Sequence, residues 1–345
     1  MMDETGSPLR GGGTVTSFGL RFDLRRHPRG ADHSTLYDAC IEQCAWADGL
    51  GFSTIMISEH HIAPSGYMPS PIVLGGAIAA RTKRARIRIS SLVAPLHNPL
   101  RLAEDLAVLD IISHGRLEPV FSGGYVGDEF EAIGTSLGAR KEFMEDLPPF
   151  LRAAWAGEEV SWRGGPKVRL TTLPVQQPFV PIWMGGASKA AARRAARHAD
   201  QFQPAHKSLW ETYEEELAKL GKPIPKRLPP SDMFWVAEDP DAFWASFAPH
   251  AMLENDEYGG WYEKWNAWNG YVIEPDADAL RATNRYPVVT PEEAVRRARA
   301  LGPDGFVMLQ CMSGGFDPEL QWQSLELVAN KVLPALAAQP EAAPA

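Results

Sequence analysis

Apolar and polar positions follow two rhythms that take turns along the chain. "SFGLRFDL" (residues 17–24) alternates at every second residue, the pattern of a strand with one buried face. Residues 34–49 switch to the helical period, with Leu36, Cys40, Cys44 and Ala47 on one stripe. "STIMIS" (53–58) returns to a strand, residues 70–82 predict a small-residue helix, and "ARIRISSLVAP" (85–95) is a third strand. The next helix carries its own punctuation: Asn98 suits the cap, Pro99 the first position and Gly115 the stop. "RLEPVFSGG" (116–124) is the fourth strand. After a long irregular stretch, "PIWMGG" (181–186) is the fifth, followed by a helix over 188–199. "DQFQPA" (200–205), "DMFWVA" (232–237) and "DGFVMLQC" (304–311) complete eight strands.

Strands alternating with helices, and no second compositional domain, predict an α/β fold: a single (β/α)8 TIM barrel. The barrel is expected over residues 16–337, with insertions after strand four and in the region 240–285. A disordered leader (1–15) and a flexible tail (338–345) flank it. A doubly wound sheet is disfavoured, because no GxGxxG follows the first strand and no P-loop occurs. In a barrel, chemistry collects at the carboxyl ends of the strands. Glu59–His60–His61, Ser90–Ser91, Ser122–Gly123–Gly124 and Gly185–Gly186 would then share one rim.

Composition narrows the function. A net charge of −9 argues against nucleic acid, whose phosphates need a basic face. No apolar run nears the ~20 residues of a membrane span, and the start lacks an apolar signal core. Three cysteines without a CxxC pair predict neither a disulfide framework nor a zinc knuckle. A cytoplasmic, water-soluble protein is expected.

Each rim candidate has two readings. His60 and His61 leave a strand on opposite sides, so a shared metal is not expected. One of them could move a proton near neutral pH, or simply bond a loop carbonyl. Glu59 could fix its tautomer, or pair with a neighbouring helix. "PIWMGGASK" presents bare backbone N–H groups at a helix start capped by Ser188, a place for phosphate or merely a tight turn. Arg140 is a candidate counter-cation, with Lys141 and Lys189 as competitors. Trp261, Trp265 and Trp268 fall on one helical face in a Trp-rich segment (258–270), as core, dimer contact or lid.

"SEHH…GYMPSP", "PLHNPLRLAEDLAVLDIISHGRLEPVFSGGY", "DEFEAIG", "ARKEFME" and "PIWMGGAS", in that order, resemble the bacterial luciferase-like family of flavin-dependent monooxygenases and oxidoreductases. "TPEEAVRRARALGPDGFVMLQ" matches the family's final helix and strand more loosely, and residues 211–284 carry little of its signal. The resemblance implies a barrel, commonly a homodimer, holding FMN or the deazaflavin coenzyme F-420 at the rim. It implies His60 as proton donor or acceptor beside the flavin, with Glu59 next to it. It also implies a cis peptide at Ser90–Ser91 under the flavin ring. Arg140 and the turn Met184–Gly185–Gly186–Ala187–Ser188 would hold the phosphate. Tyr67, Tyr125 and Trp235 are the expected substrate contacts. One departure is Gly123, where luciferases carry an arginine, so one phosphate contact is missing and light emission is not implied.

The expected activity is monooxygenation of a small apolar organic substrate with O2 and reduced FMN, supplied by a separate NAD(P)H-dependent flavin reductase. Residues 125–180 are expected to form a mobile cover. The alternatives are F-420-dependent hydride transfer, towards which an Asp-His turn at strand two would point, a non-catalytic flavin-binding protein, and a metal-dependent barrel hydrolase.

Overall fold

A strand forms at each of the eight predicted places, the seventh only in its first half, and the eight join in one parallel sheet. The computed structural model describes residues 16–267 and 270–338. The leader, Trp268 and all but the first residue of the predicted tail lie outside the described residues. In chain order the barrel strands are β1 (Ser17–Phe22), β2 (Thr54–Ile57), β3 (Arg86–Val93), β4 (Leu117–Ser122), β5 (Trp183–Gly186), β6 (Gln201–Pro204), β7 (Ser231–Met233) and β8 (Phe306–Cys311). Their order across the sheet is β6-β5-β4-β3-β2-β1-β8-β7. Among the described residues no ladder joins β6 to β7, so the hydrogen-bonded sheet is a curled, incomplete ring.

Alternation decides which way each strand faces. On β1, Phe18, Leu20 and Phe22 are buried in the main core, while Arg21 points the other way, into the barrel mouth. The stripe Leu36, Cys40, Cys44 and Ala47 is fully buried on the helix His33–Gly49. Asn98 caps the helix Pro99–Ser113, its side chain accepting from the N–H groups of Leu100 and Arg101.

Two expectations change. "DMFWVA" is not one strand: it breaks at Phe234. Ser231–Met233 pairs with β8, whereas Trp235–Val236 pairs with Val288–Val289 in a separate short ladder. The stretch after strand four is not a cover along its length either. Its helix Arg140–Trp155 buries Leu147, Leu151 and Trp155, and the Trp155 indole donates to the Ala103 carbonyl at 3.0 Å.

The 240–285 insertion begins as a 25-residue helix, Pro240–Lys264, capped by Asp239. Gly259 lets the chain at Ile273 lie against this helix, since a Cβ there would stand 2.4 Å from the Ile273 side chain. No helix among the described residues is long and apolar enough to cross a membrane.

Candidate active site

A cavity of about 770 Å³ opens at the carboxyl ends of the strands. The structure brings Glu59, His60, Ser90, Ser91, Arg140, Met184, Gly185, Gly186, Ala187, Ser188, Tyr67 and Tyr125 to its walls. Trp235 is the exception. It does not line the cavity but is buried against Phe247 and Tyr286, because the break at Phe234 carries it into the second ladder.

His60 is buried, and its Nδ1 lies 2.9 Å from Glu129 Oε1. The same oxygen accepts the His61 N–H at 2.8 Å. Glu129 sits in the short helix Gly127–Ile133 that follows β4, so a single carboxylate fixes both the strand-two turn and the histidine tautomer. With Nδ1–H donating, Nε2 is the basic nitrogen, and no described residue bonds to it. The indole of Trp261 stacks on the imidazole at 4.5 Å, and Tyr67, Tyr125 and Tyr258 meet it edge-on.

Glu59 does not take the role of fixing His60. Its Oε1 pairs with His61 Nε2 at 2.9 Å and His97 Nε2 at 2.7 Å, and its Oε2 accepts the Val93 N–H at 2.5 Å. Burial pushes the Glu59 carboxyl up, but the bonds from His61 and His97 outweigh it and hold the pKa at about 2. Glu59 therefore ties the end of β2 to the end of β3 as a fixed anion. For His61, burial acts downwards, and the bond to Glu59 raises its pKa in spite of it.

The Ser90–Ser91 peptide is cis, and the register of β3 against β4 shifts there. Gln203 on β6 donates to Ser90 Oγ at 2.7 Å, which joins this bulge to the sixth strand.

Past the strand that carries Gly185, Ser188 caps the helix Lys189–His198, accepting from the Ala191 N–H. Gly186 must be glycine for this turn to close, since a Cβ would lie 2.4 Å from the Ala191 methyl. Arg140, Lys141 and Arg194 face the turn. Burial and the like charge of Arg194 lower the Arg140 pKa. An anion seated between them would relieve that repulsion. Helix-start donors, a serine and three cations fit a phosphate group. Gly123 leaves room beside the Arg140 side chain, since a Cβ there would stand 3.6 Å from the Arg140 Cδ.

The Trp-rich segment contributes through two adjacent faces, the expected one by Trp261 and a second by Glu254, Tyr258 and Tyr262. Glu254, Tyr258 and Tyr262 of the long helix line the cavity, with Trp261 beside them on His60. Trp265 instead reaches the Gly127–Ile133 helix, its indole 3.4 Å from Asp128 and the neighbouring Lys264 ammonium 2.7 Å from the same carboxylate.

Residues 20–313 match the family described as luciferase-like monooxygenase. The oxygenase component of the flavin-dependent trigonelline monooxygenase of Acinetobacter baylyi is 28% identical over 92% of this chain and 95% of that protein. Among solved structures, the oxygenating constituent of 3,6-diketocamphane monooxygenase from Pseudomonas putida, in complex with FMN, superposes with a TM-score of 0.69. It is 20% identical and covers 93% of this chain and 98% of its own. An F-420-dependent secondary alcohol dehydrogenase shares the fold with a TM-score of 0.61, at 18% identity over 89% and 98% of the two chains.

Proposed function

We propose, from the premise that this chain belongs to the luciferase-like monooxygenase family, that it is the oxygenase component of a two-component system. Reduced FMN would arrive from a separate NAD(P)H-dependent flavin reductase, with O2 and an organic compound as co-substrates. The observation that carries this reading is one cavity holding both a phosphate-suited turn and His60, whose Nδ1 is held by Glu129 at 2.9 Å.

Arg140, Arg194 and the Gly185–Ser188 turn would hold the flavin phosphate, and Ser90–Ser91 would lie under its ring. Reduced flavin, when bound, supplies the electrons that activate O2. The protein's part is to bind, exclude water and move one proton. Trp261, Tyr125 and Tyr258 close around His60 and keep water from it. Nε2 of His60 gives or takes the proton at the reacting centre, while Glu129 balances the imidazolium that forms. Burial pushes the phenols of Tyr67 and Tyr125 well up, so both stay neutral hydrogen-bond donors beside the substrate. The apolar part of the substrate would lie among these rings.

Glu59 and its two histidines support the site without touching the reaction. A homodimer is part of the reading: helices Pro71–Arg81 and Pro99–Ser113 expose Val73, Val108 and Ile112, an apolar face suited to a second copy.

The deciding experiment is an anaerobic titration with reduced FMN and, in parallel, reduced F-420, followed by O2 admission with product analysis. Tight FMN binding and an oxygenated product confirm the reading. Preference for F-420 converts His60 into the proton donor of a hydride transfer. Flavin binding without turnover of any substrate leaves a flavin carrier.

A further inference from the structure

Among the described residues most arginines around this barrel are answered by partners, but two that line the cavity are not: Arg140 at the phosphate end, which donates only to the Leu137 carbonyl, and Arg21. Arg25 meets Asp23 and Glu257; Arg86 and Arg88 share Glu118. Buried Arg116 has no carboxylate, but its guanidinium donates to the Ser113, Ala79, Thr82 and Ala85 carbonyls and the Thr82 hydroxyl. Arg21 lines the active-site cavity and donates from Nη1 to Gln310 Oε1 at 2.7 Å. Among the described residues it has no other hydrogen-bond acceptor and no carboxylate at ion-pair distance. A guanidinium carries five N–H donors in a flat fork, so most of this one is left for whatever enters the cavity. A second guanidinium, Arg285, lines the same end, packed face-on against the Tyr271 ring at 4.2 Å.

We propose that Arg21 is a substrate-anchoring residue, and that the substrate is a flat-ringed carboxylate. Its carboxylate would be gripped by the Arg21 fork, and its ring would lie among Tyr258, Tyr271 and Tyr286. This rests on the flavin–substrate reading of the cavity and replaces the small apolar organic substrate that the family resemblance implies. Glu254 is the opposing charge at this end, with its nearest guanidinium, Arg25, 3.8 Å away. Burial holds its carboxyl above the usual range, which weakens its repulsion of an incoming anion. A cationic substrate facing Glu254 is the competing arrangement. It is disfavoured because one face each of Tyr67 and Tyr258 is already covered by the Arg25 guanidinium, at 4.2 and 4.5 Å.

The test is calorimetric binding of benzoate, benzamide and benzylamine to the full chain, with and without FMN, while FMN binding is read separately from flavin fluorescence. Benzoate is expected to bind about tenfold or more tighter than benzamide, the scale of a bidentate charge-assisted pair. Arg21→Gln should abolish that preference without changing FMN affinity, and Arg21→Lys should restore part of it. Benzoate binding no tighter than benzamide, no detectable binding of either, tighter binding of benzylamine, or a preference that survives in Arg21→Gln would each overturn the proposal. The wild-type comparison stands even where a variant does not fold. A carboxylate preference without FMN affinity would sink the flavin reading alone; FMN affinity without that preference would sink this one alone.

Discussion

The two ends of the cavity are built by different rules. The phosphate end comes from short, continuous runs: Met184 to Ser188 form one strand-to-helix turn, and Arg140 opens the helix Arg140–Trp155. The proton-moving end is assembled across the chain. His60 takes its partner from Glu129, 69 residues on, and its stacked ring from Trp261, about two hundred residues on. Local geometry suffices to receive an anion, because helix-start N–H groups come with the backbone. A histidine of defined tautomer in a dry pocket needs groups converging from several elements. Cofactor binding and proton transfer should therefore fail separately.

His60→Ala is the largest test of that separation. Turnover should fall by about 10²–10⁴, the usual contribution of a positioned acid–base group, while flavin affinity stays unchanged. Equal losses in both would merge the two ends. Glu129→Leu should follow it with a smaller loss of turnover, about 10- to 100-fold, the range expected when the partner that orients a histidine is removed. Glu129→Gln separates positioning from charge: its amide oxygen can still accept from Nδ1, so activity should partly return with a displaced pH profile. A Gln variant as poor as Leu, with the wild-type profile, would leave Glu129 a packing residue.

At the other end, Arg140→Ala should weaken FMN binding by about 10- to 100-fold, the scale of a charge-assisted bond to phosphate. Riboflavin, which lacks the phosphate, should lose little. Equal losses for the two ligands would make Arg140 structural and shift the phosphate role to Arg194 and Lys141.

The same contrast explains what was legible in the sequence. All eight strands, the Asn98 and Ser188 caps and the Gly185–Gly186 turn depend on residues within a few positions of one another, and each was readable. Glu129 was visible only as part of "DEFEAIG", with nothing local to link it to His60. The Trp261, Trp265 and Trp268 stripe was legible by size, and Trp261 does reach His60, yet the cavity wall uses Glu254, Tyr258 and Tyr262, four residues apart on an adjacent face. Which face of a helix meets a cavity is set by how the helix docks, and the Gly259–Ile273 contact that helps fix it spans an insertion. Arg21 hid within an alternating strand, where a polar residue on every second position needs no explanation. Trp235 failed for the converse reason: an apolar run reads as one strand until a partner ladder divides it.

Glu59 gives the smallest and most specific prediction, because it belongs to neither end and ties the strands beneath both. Its folded-state pKa of about 2 lies below the ordinary 4.5, so the ionised form is the one that folding favours. The stability it contributes is fully present above pH 4.5 and is lost as the pH falls from 4.5 towards 2. His61 runs the opposite way: its raised pKa stabilises below the ordinary histidine range and fades as the pH climbs through the raised value. Glu59→Gln keeps the size and one acceptor oxygen but leaves His61 and His97 facing an amide, so it should cost about 1–3 kcal/mol at neutral pH, a few degrees in Tm. On acidification the variant should approach the wild type, because below pH 4.5 the unfolded wild-type side chain takes up a proton that folding must then remove. Thermal melts of both proteins from pH 7 to pH 3 measure this directly. A gap that stays constant across that range would mean that the Glu59 charge does no stabilising work and that the strand ends are held by packing alone.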